Sequence, residues 1–172
     1  MSTSAEQGSP RLRPVGYADP VAEHLIERVQ QEYVVRYGGR DAAVVDAAEF
    51  SPPLGLFLVA RVDGEVAGSG GWRAHGDGSV EVKRMYVAPR FRRRGLAQVV
   101  LDALERTAAR AGHRAVVLNT GPEQPEALAL YDRAGYTPVA GYGVYAEEPG
   151  AVFLGKELSG EPIGEEEDAW AS

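Results

Sequence analysis

Glu81-Val82-Lys83-Arg84-Met85-Tyr86-Val87-Ala88-Pro89-Arg90-Phe91-Arg92-Arg93-Arg94-Gly95-Leu96-Ala97 is the stretch whose reading decides the fold. It begins as a strand, Val80 to Val87, rich in β-branched and aromatic residues, which stops at Ala88-Pro89. Four arginines then fall within positions 90–94, and a helical pattern starts at Gly95. A strand that delivers an Arg/Gly loop to a helix N-terminus makes an anion site. Up to four backbone N–H groups there lack internal partners, and the macrodipole adds roughly half a positive charge. Arginines add charge-assisted hydrogen bonds. Gly95 permits close backbone approach and an unusual φ, and Ala97 keeps the first turn thin.

Working outward, the apolar residues Leu96, Val100, Leu104 and Ala108 recur every four positions, which predicts a helix over 95–111 capped by Gly112. Upstream, Leu56 to Val62, Asp63-Gly64 and Glu65 to Trp72 read as strand, two-residue turn, strand, and His75 to Gly78 turns the chain into the strand ending at Val87. Near the start, Leu12 to Tyr17 supplies a short strand. Asp19-Pro20 caps a helix carrying Leu25, Ile26, Val29, Tyr33 and Tyr37, which ends at Gly38-Gly39, and Asp46 to Phe50 forms one helical turn. Downstream come a strand at 115–118, a helix at 125–134 capped by Gly135, and strands at 137–140 and 152–158. Hairpin-linked strands followed by β-α-β units predict an α/β fold of mixed α+β character. Residues 1–10 are small and polar and 159–172 acidic, so the domain is expected over 11–158, with both ends outside the core.

The 172 residues carry a net charge of -7, but Glu161, Glu165, Glu166, Glu167 and Asp168 lie in the last twelve positions, where no Lys or Arg occurs, so the remainder carries only -2. Within that near-neutral body, Lys83, Arg84, Arg90, Arg92, Arg93 and Arg94 place six of eighteen basic residues in twelve positions. The absence of cysteine excludes disulfides and any acyl-enzyme on sulfur, and His24, His75 and His113 show no metal-ligand spacing, so no metal is expected. No apolar run approaches the roughly 18 residues of a membrane span, and no signal-peptide pattern opens the chain, which makes a cytoplasmic protein the expectation. A phosphate-binding Gly-x-x-x-x-Gly-Lys-Ser/Thr run is absent, and the acidic charge opposes a nucleic-acid partner.

Arg92-x-x-Gly95-x-Ala97, entered from its strand, resembles the acetyl-coenzyme A pyrophosphate loop of the GNAT N-acetyltransferase superfamily. Ala127-Leu128-Ala129-Leu130-Tyr131 with Gly135-Tyr136 resembles that family's second signature. The resemblance covers about residues 11–158 and implies a GNAT-like mixed, mostly antiparallel six- or seven-stranded sheet with helices on both faces. It implies acetyl-CoA as cosubstrate, with Arg92, Arg93, Arg94, Gly95, Leu96 and Ala97 on the pyrophosphate, and the backbone of Met85, Tyr86 and Val87 on the pantetheine arm. Ala127 would leave room for the thioester. The family often has Asn seven positions before the helix Tyr; Gln124 stands there in this chain. Homodimerisation is a further expectation of the resemblance.

Acetyl transfer to a primary amine needs a neutral nucleophile, a held oxyanion and a proton for the departing thiolate. The resemblance assigns Tyr131 as general acid, Glu81 as general base with a water chain as the alternative, and the Val87 N–H as oxyanion donor. Strand alternation predicts Glu81 on one face with Lys83, Met85 and Val87. The acceptor, a small molecule or peptide, is expected against Glu32, Tyr33, Arg36, Tyr37, Trp72 and Arg73, with Tyr145 closing the site, and the acidic surface favours a cationic amine. Without cysteine, direct attack in a ternary complex is expected. The competing reading is a coenzyme A-binding or interaction protein that keeps the fold without catalysis.

Overall fold

The computed structural model describes residues 8–159. The expectations for 1–7 and for the acidic segment 160–172 lie outside the described residues. Asp19 opens α1 (Pro20–Tyr37) as predicted, its carboxylate accepting from the Val21 N–H at 2.9 Å, and Gly38 closes it at φ +79°. The strands are β1 (Arg11–Pro14), β2 (Gly55–Val62), β3 (Glu65–Gly76), β4 (Ser79–Val87), β5 (Ala115–Thr120), β6 (Thr137–Pro138) and β7 (Val152–Glu157); the remaining helices are α2 (Leu96–Arg110) and α3 (Pro125–Arg133). Short 3-10 turns occupy Ala47–Phe50, Pro89–Phe91 and Gly143–Tyr145.

The strands form one seven-stranded sheet in the order β1-β2-β3-β4-β5-β7-β6. Only β4 and β5, joined through α2, run parallel; every other neighbouring pair is antiparallel. On one face, Val100, Leu101, Leu104 and Ala108 of α2 pack on Leu58, Val80, Val116 and Leu118. On the other, Leu25 and Val29 of α1 cover Phe50, Phe57, Val59 and Tyr86.

Two irregularities in β4 position the site. The first is that β4 and β5 pair only over Ser79–Glu81 with Ala115–Val117. Beyond that point β5 stays with β7 and β4 with β3, so the sheet opens into a wedge between them. The second is a bulge. Ser69 pairs with Tyr86 and Gly71 with Lys83, leaving Arg84 and Met85 opposite Gly70, and Arg84 takes φ +60°. The bulge overturns the expected alternation. Glu81 and Lys83 do share a face, but Met85 and Val87 turn to the α2 side, while Arg84 joins Lys83 in bonding Asp41.

Candidate active site

The wedge is a cavity of about 690 Å³. Its floor is the open flank of β4. The Ala88 N–H is taken by Ala67 on β3 at 2.8 Å, so strand alternation turns the backbone groups of Met85 and Val87 away from β3. The Val87 carbonyl accordingly accepts from Arg92 Nε at 2.9 Å. By the same alternation Tyr86 directs its backbone to β3 and buries its ring among α1 core residues. Of the three residues expected to pair with a pantetheine arm, two offer groups to the gap.

At one end of the cavity stands the start of α2. Gly95, its N-cap, has φ +76°, and a Cβ there would meet nothing within 4 Å, so glycine is required by backbone conformation and not by space. The first bond into the helix runs from the Val99 N–H to the Gly95 carbonyl, leaving the N–H groups of Leu96, Ala97 and Gln98 at the cavity without intrahelical acceptors. Arg93 lines the cavity beside them. Arg92 is braced between Val87 and an ion pair with Glu32 of α1. Arg94 is not part of the lining; it lies over the Phe91 ring.

From α3, Ala127, Leu130 and Tyr131 reach the cavity. Tyr131 is buried, its ring edge-on to Tyr136, and its hydroxyl makes no hydrogen bond among the described residues. Burial, reinforced by the nearby Tyr33, pushes its phenol far above the ordinary value. Tyr33 faces the same space, and burial followed by the charge of Asp41 pushes its phenol up to about 12. Gln124 lines the wall and donates to the Tyr37 hydroxyl at 3.1 Å. Arg36 spans from α1 to α3, donating to the Glu123 carbonyl at 2.8 Å and pairing with Glu126 at 2.6 Å.

Several predicted residues stand elsewhere. Glu81 is outside the lining, buried in an ion pair with Arg73 at 2.8 Å, while Arg73 also donates to the Val44 carbonyl. Trp72 lies in the core beneath α2, its indole N–H donating to Thr107 at 3.0 Å. The bare strand pattern of β3 does not say which face carries Trp72, and the pairing turns it toward α2. Tyr37 and Arg73 are likewise outside the lining.

Asp41 was not among the sequence candidates. It sits in the segment between α1 and the turn at Ala47, where no periodicity marks it, yet its carboxylate is buried at the cavity. One oxygen accepts from Tyr145 at 3.0 Å and from the Ala43 N–H at 3.0 Å; the other meets Arg84 at 2.9 Å and Lys83 at 3.1 Å. Burial opposes its ionisation, but Lys83, the Ala43 N–H and Arg84 together hold it below the usual carboxylate range. Tyr145, which is outside the lining, donates to Asp41 and accepts the Ala42 N–H at 2.6 Å.

Residues 21–136 match the model of the acetyltransferase (GNAT) family. The chain belongs to that family. An IAA acetyltransferase of Azospirillum brasilense is 33% identical over 78% of this chain and 88% of its own length. N-acetylaspartate synthetase of Rattus norvegicus is 36% identical over 56% of this chain and 32% of that protein. Among solved structures, a Klebsiella pneumoniae protein described as an acyl-CoA N-acyltransferase superposes with TM-score 0.74 at 28% identity, covering 87% of this chain and 98% of its own. PaiA N-acetyltransferase of Thermoplasma acidophilum, solved in complex with coenzyme A, has the same fold at TM-score 0.65 and 16% identity, over 87% and 99%. As a GNAT acyltransferase, the chain places its wedge, helix N-terminus and Tyr131 around one cavity. No helix among the described residues is long and apolar enough to cross a membrane.

Proposed function

We propose that this GNAT protein transfers an acetyl group from acetyl-CoA to a primary amine by direct attack in a ternary complex. The observation that carries the reading is the wedge between β4 and β5, which offers a bare strand flank, three free helix N–H groups and Tyr131 to a single cavity. The residues present fit the cosubstrate. The N–H groups of Leu96, Ala97 and Gln98 with Arg93 would hold the pyrophosphate, and the Met85 backbone and the Val87 carbonyl, which can accept a second bond beside Arg92, would pair with the pantetheine amides. Arg92 would act by bracing Val87, and Ala127 leaves space above the thioester.

In the reaction the amine nitrogen bonds the acetyl carbon and the carbon–sulfur bond breaks. The nitrogen's proton leaves through water, because Glu81 is committed to Arg73 and stands outside the cavity. The Val87 N–H, turned into the wedge, holds the oxyanion. Tyr131 keeps its proton at working pH and donates a hydrogen bond to the departing sulfur. A phenol raised above ~10 is a weaker acid than a thiol near ~8.5, so the thiolate is stabilised by that bond and is finally protonated from solvent.

Calorimetric titration with acetyl-CoA, on the wild type and on Gly95→Val, tests the reading first. Micromolar binding that weakens at least tenfold in the variant is expected, followed by thiol release when amines are screened. A wild type that fails to bind acetyl-CoA overturns it.

A further inference from the structure

We propose that the acceptor is a free amino acid, whose carboxylate is seated on Lys83 and Arg84. This rests on the transfer reading above and names its second substrate. The acids of the cavity are each accounted for: Glu32 pairs with Arg92, Glu126 with Arg36, and Asp41 with both Lys83 and Arg84. Asp41 therefore has one negative charge to set against two positive ones. All three side chains are at most 9% exposed, so solvent does little to compensate the difference.

The donor inventory points the same way. A guanidinium has five N–H groups and an ammonium three. Arg84 uses Nε on the Tyr17 hydroxyl at 3.2 Å and Nη1 on Asp41, and Lys83 reaches Asp41 alone. Among the described residues, the Nη2 group of Arg84 has no hydrogen-bond acceptor. A carboxylate placed between them would fill these donors and balance the charge. Glu81, two residues before Lys83, cannot do so because Arg73 holds it, and Glu49, which also reaches Arg73, stands outside the cavity.

The backbone maintains this arrangement at a cost. In a regular strand, consecutive residues point to opposite faces, which would separate Lys83 from Arg84. The bulge, with Arg84 at φ +60°, brings both onto Asp41. Tyr17 and Tyr145 then fix Arg84 and Asp41 from two other segments of the chain. The expectation of a cationic acceptor, drawn from the net charge of the whole chain, is reversed at the cavity. A polyamine would bring positive charge toward two buried cations, whereas an amino acid presents its carboxylate to them and its amine to the acetyl group.

The test is calorimetry on the full chain. Acetyl-CoA is titrated first, and a failure to bind at this stage fails the transfer reading before any acceptor is involved. The N-acetyl derivatives of the nineteen standard amino acids with a primary α-amine, and their carboxamides, are then titrated, with coenzyme A present and without it. At least one acid is expected to bind at least tenfold more tightly than its carboxamide. Lys83→Met leaves Asp41 and Arg84 matched one to one and so removes the uncompensated positive charge; it should erase the preference while acetyl-CoA affinity stays within threefold, and Lys83→Arg should restore it. The proposal is overturned if no acid binds, if acid and carboxamide bind alike, or if Lys83→Met weakens acetyl-CoA tenfold, which would assign these cations to the cosubstrate.

Discussion

Tyr131 is held in its neutral form by burial and by Tyr33, and that fixes what its substitution should do. Tyr131→Phe removes a single hydrogen-bond donor from the cavity without changing the packing against Tyr136. We expect kcat to fall by about 100-fold, within the range for a positioned hydrogen-bond donor to developing charge, with the KM for acetyl-CoA nearly unchanged. The phenol works protonated and stays so below its raised pKa, so the wild-type rate should show no descending limb from this group up to about pH 10. A steady-state pH profile checks both statements. Asp41 gives a stability counterpart. Its folded pKa lies below the unfolded value of ~3.9, so its contribution is complete above that value and is lost as pH falls through the folded pKa. Asp41→Asn strands two buried cations and should cost about 3 kcal/mol at pH 7, with the gap to wild type closing below about pH 4 in denaturant titrations. The sequence pattern that revealed Tyr131 was a helix motif. Asp41 had none, because a loop carboxylate acquires its role only when distant Lys83, Arg84 and Tyr145 fold around it.

At the scale of elements, β4 carries the main difference between what could be read in advance and what folded. Its ends, its hairpin partner and its delivery into α2 followed from β-branched runs, the turn at 75–78 and the change of period at Gly95. The bulge at Arg84 did not, since nothing in a period-two pattern announces an extra residue, and every facing after Lys83 shifted with it. β7 raised a similar difficulty: local pattern marked the strand, but not its insertion between β5 and β6. The bulge makes a checkable claim. In amide exchange, Met85 and Val87 should be poorly protected in the free protein and gain protection with acetyl-CoA, while Tyr86, directed at β3, should barely change. Equal behaviour of all three would contradict the alternation inferred at the wedge. Gly70, opposite the bulge, tests the packing behind it. A Cβ there would lie 2.7 Å from Met85 Sδ and 2.9 Å from Val100, so Gly70→Ala should destabilise by about 1–3 kcal/mol, measured by urea unfolding.

Across the whole molecule, two parts of one sheet meet through a short parallel register at Ser79–Glu81 and then separate. The gap is bridged on the α1 side by Arg36 with Glu126, while Glu32 with Arg92 ties α1 to the loop before α2. Both pairs are partly exposed, and pairs of that kind contribute about 0–1 kcal/mol, so they orient the walls more than they hold them together. The fold therefore leaves its strongest available cross-link to whatever fills the wedge. A ligand that binds only the native state adds RT ln(1 + [L]/Kd), about 2.7 kcal/mol at a hundredfold excess over Kd. For a chain of this size, 1 kcal/mol moves the melting midpoint by about 2–4 °C, so saturating acetyl-CoA should raise it by about 5–10 °C. Tyr131→Phe should keep the full shift, because it alters chemistry and not the seat of the pyrophosphate. Gly95→Val should lose most of it, since a β-branched residue resists φ +76° and the free N–H groups of α2 are displaced. Thermal unfolding of the three proteins with and without acetyl-CoA separates the two roles: loss of the shift in Tyr131→Phe, or its retention in Gly95→Val, would move the anion seat away from the start of α2.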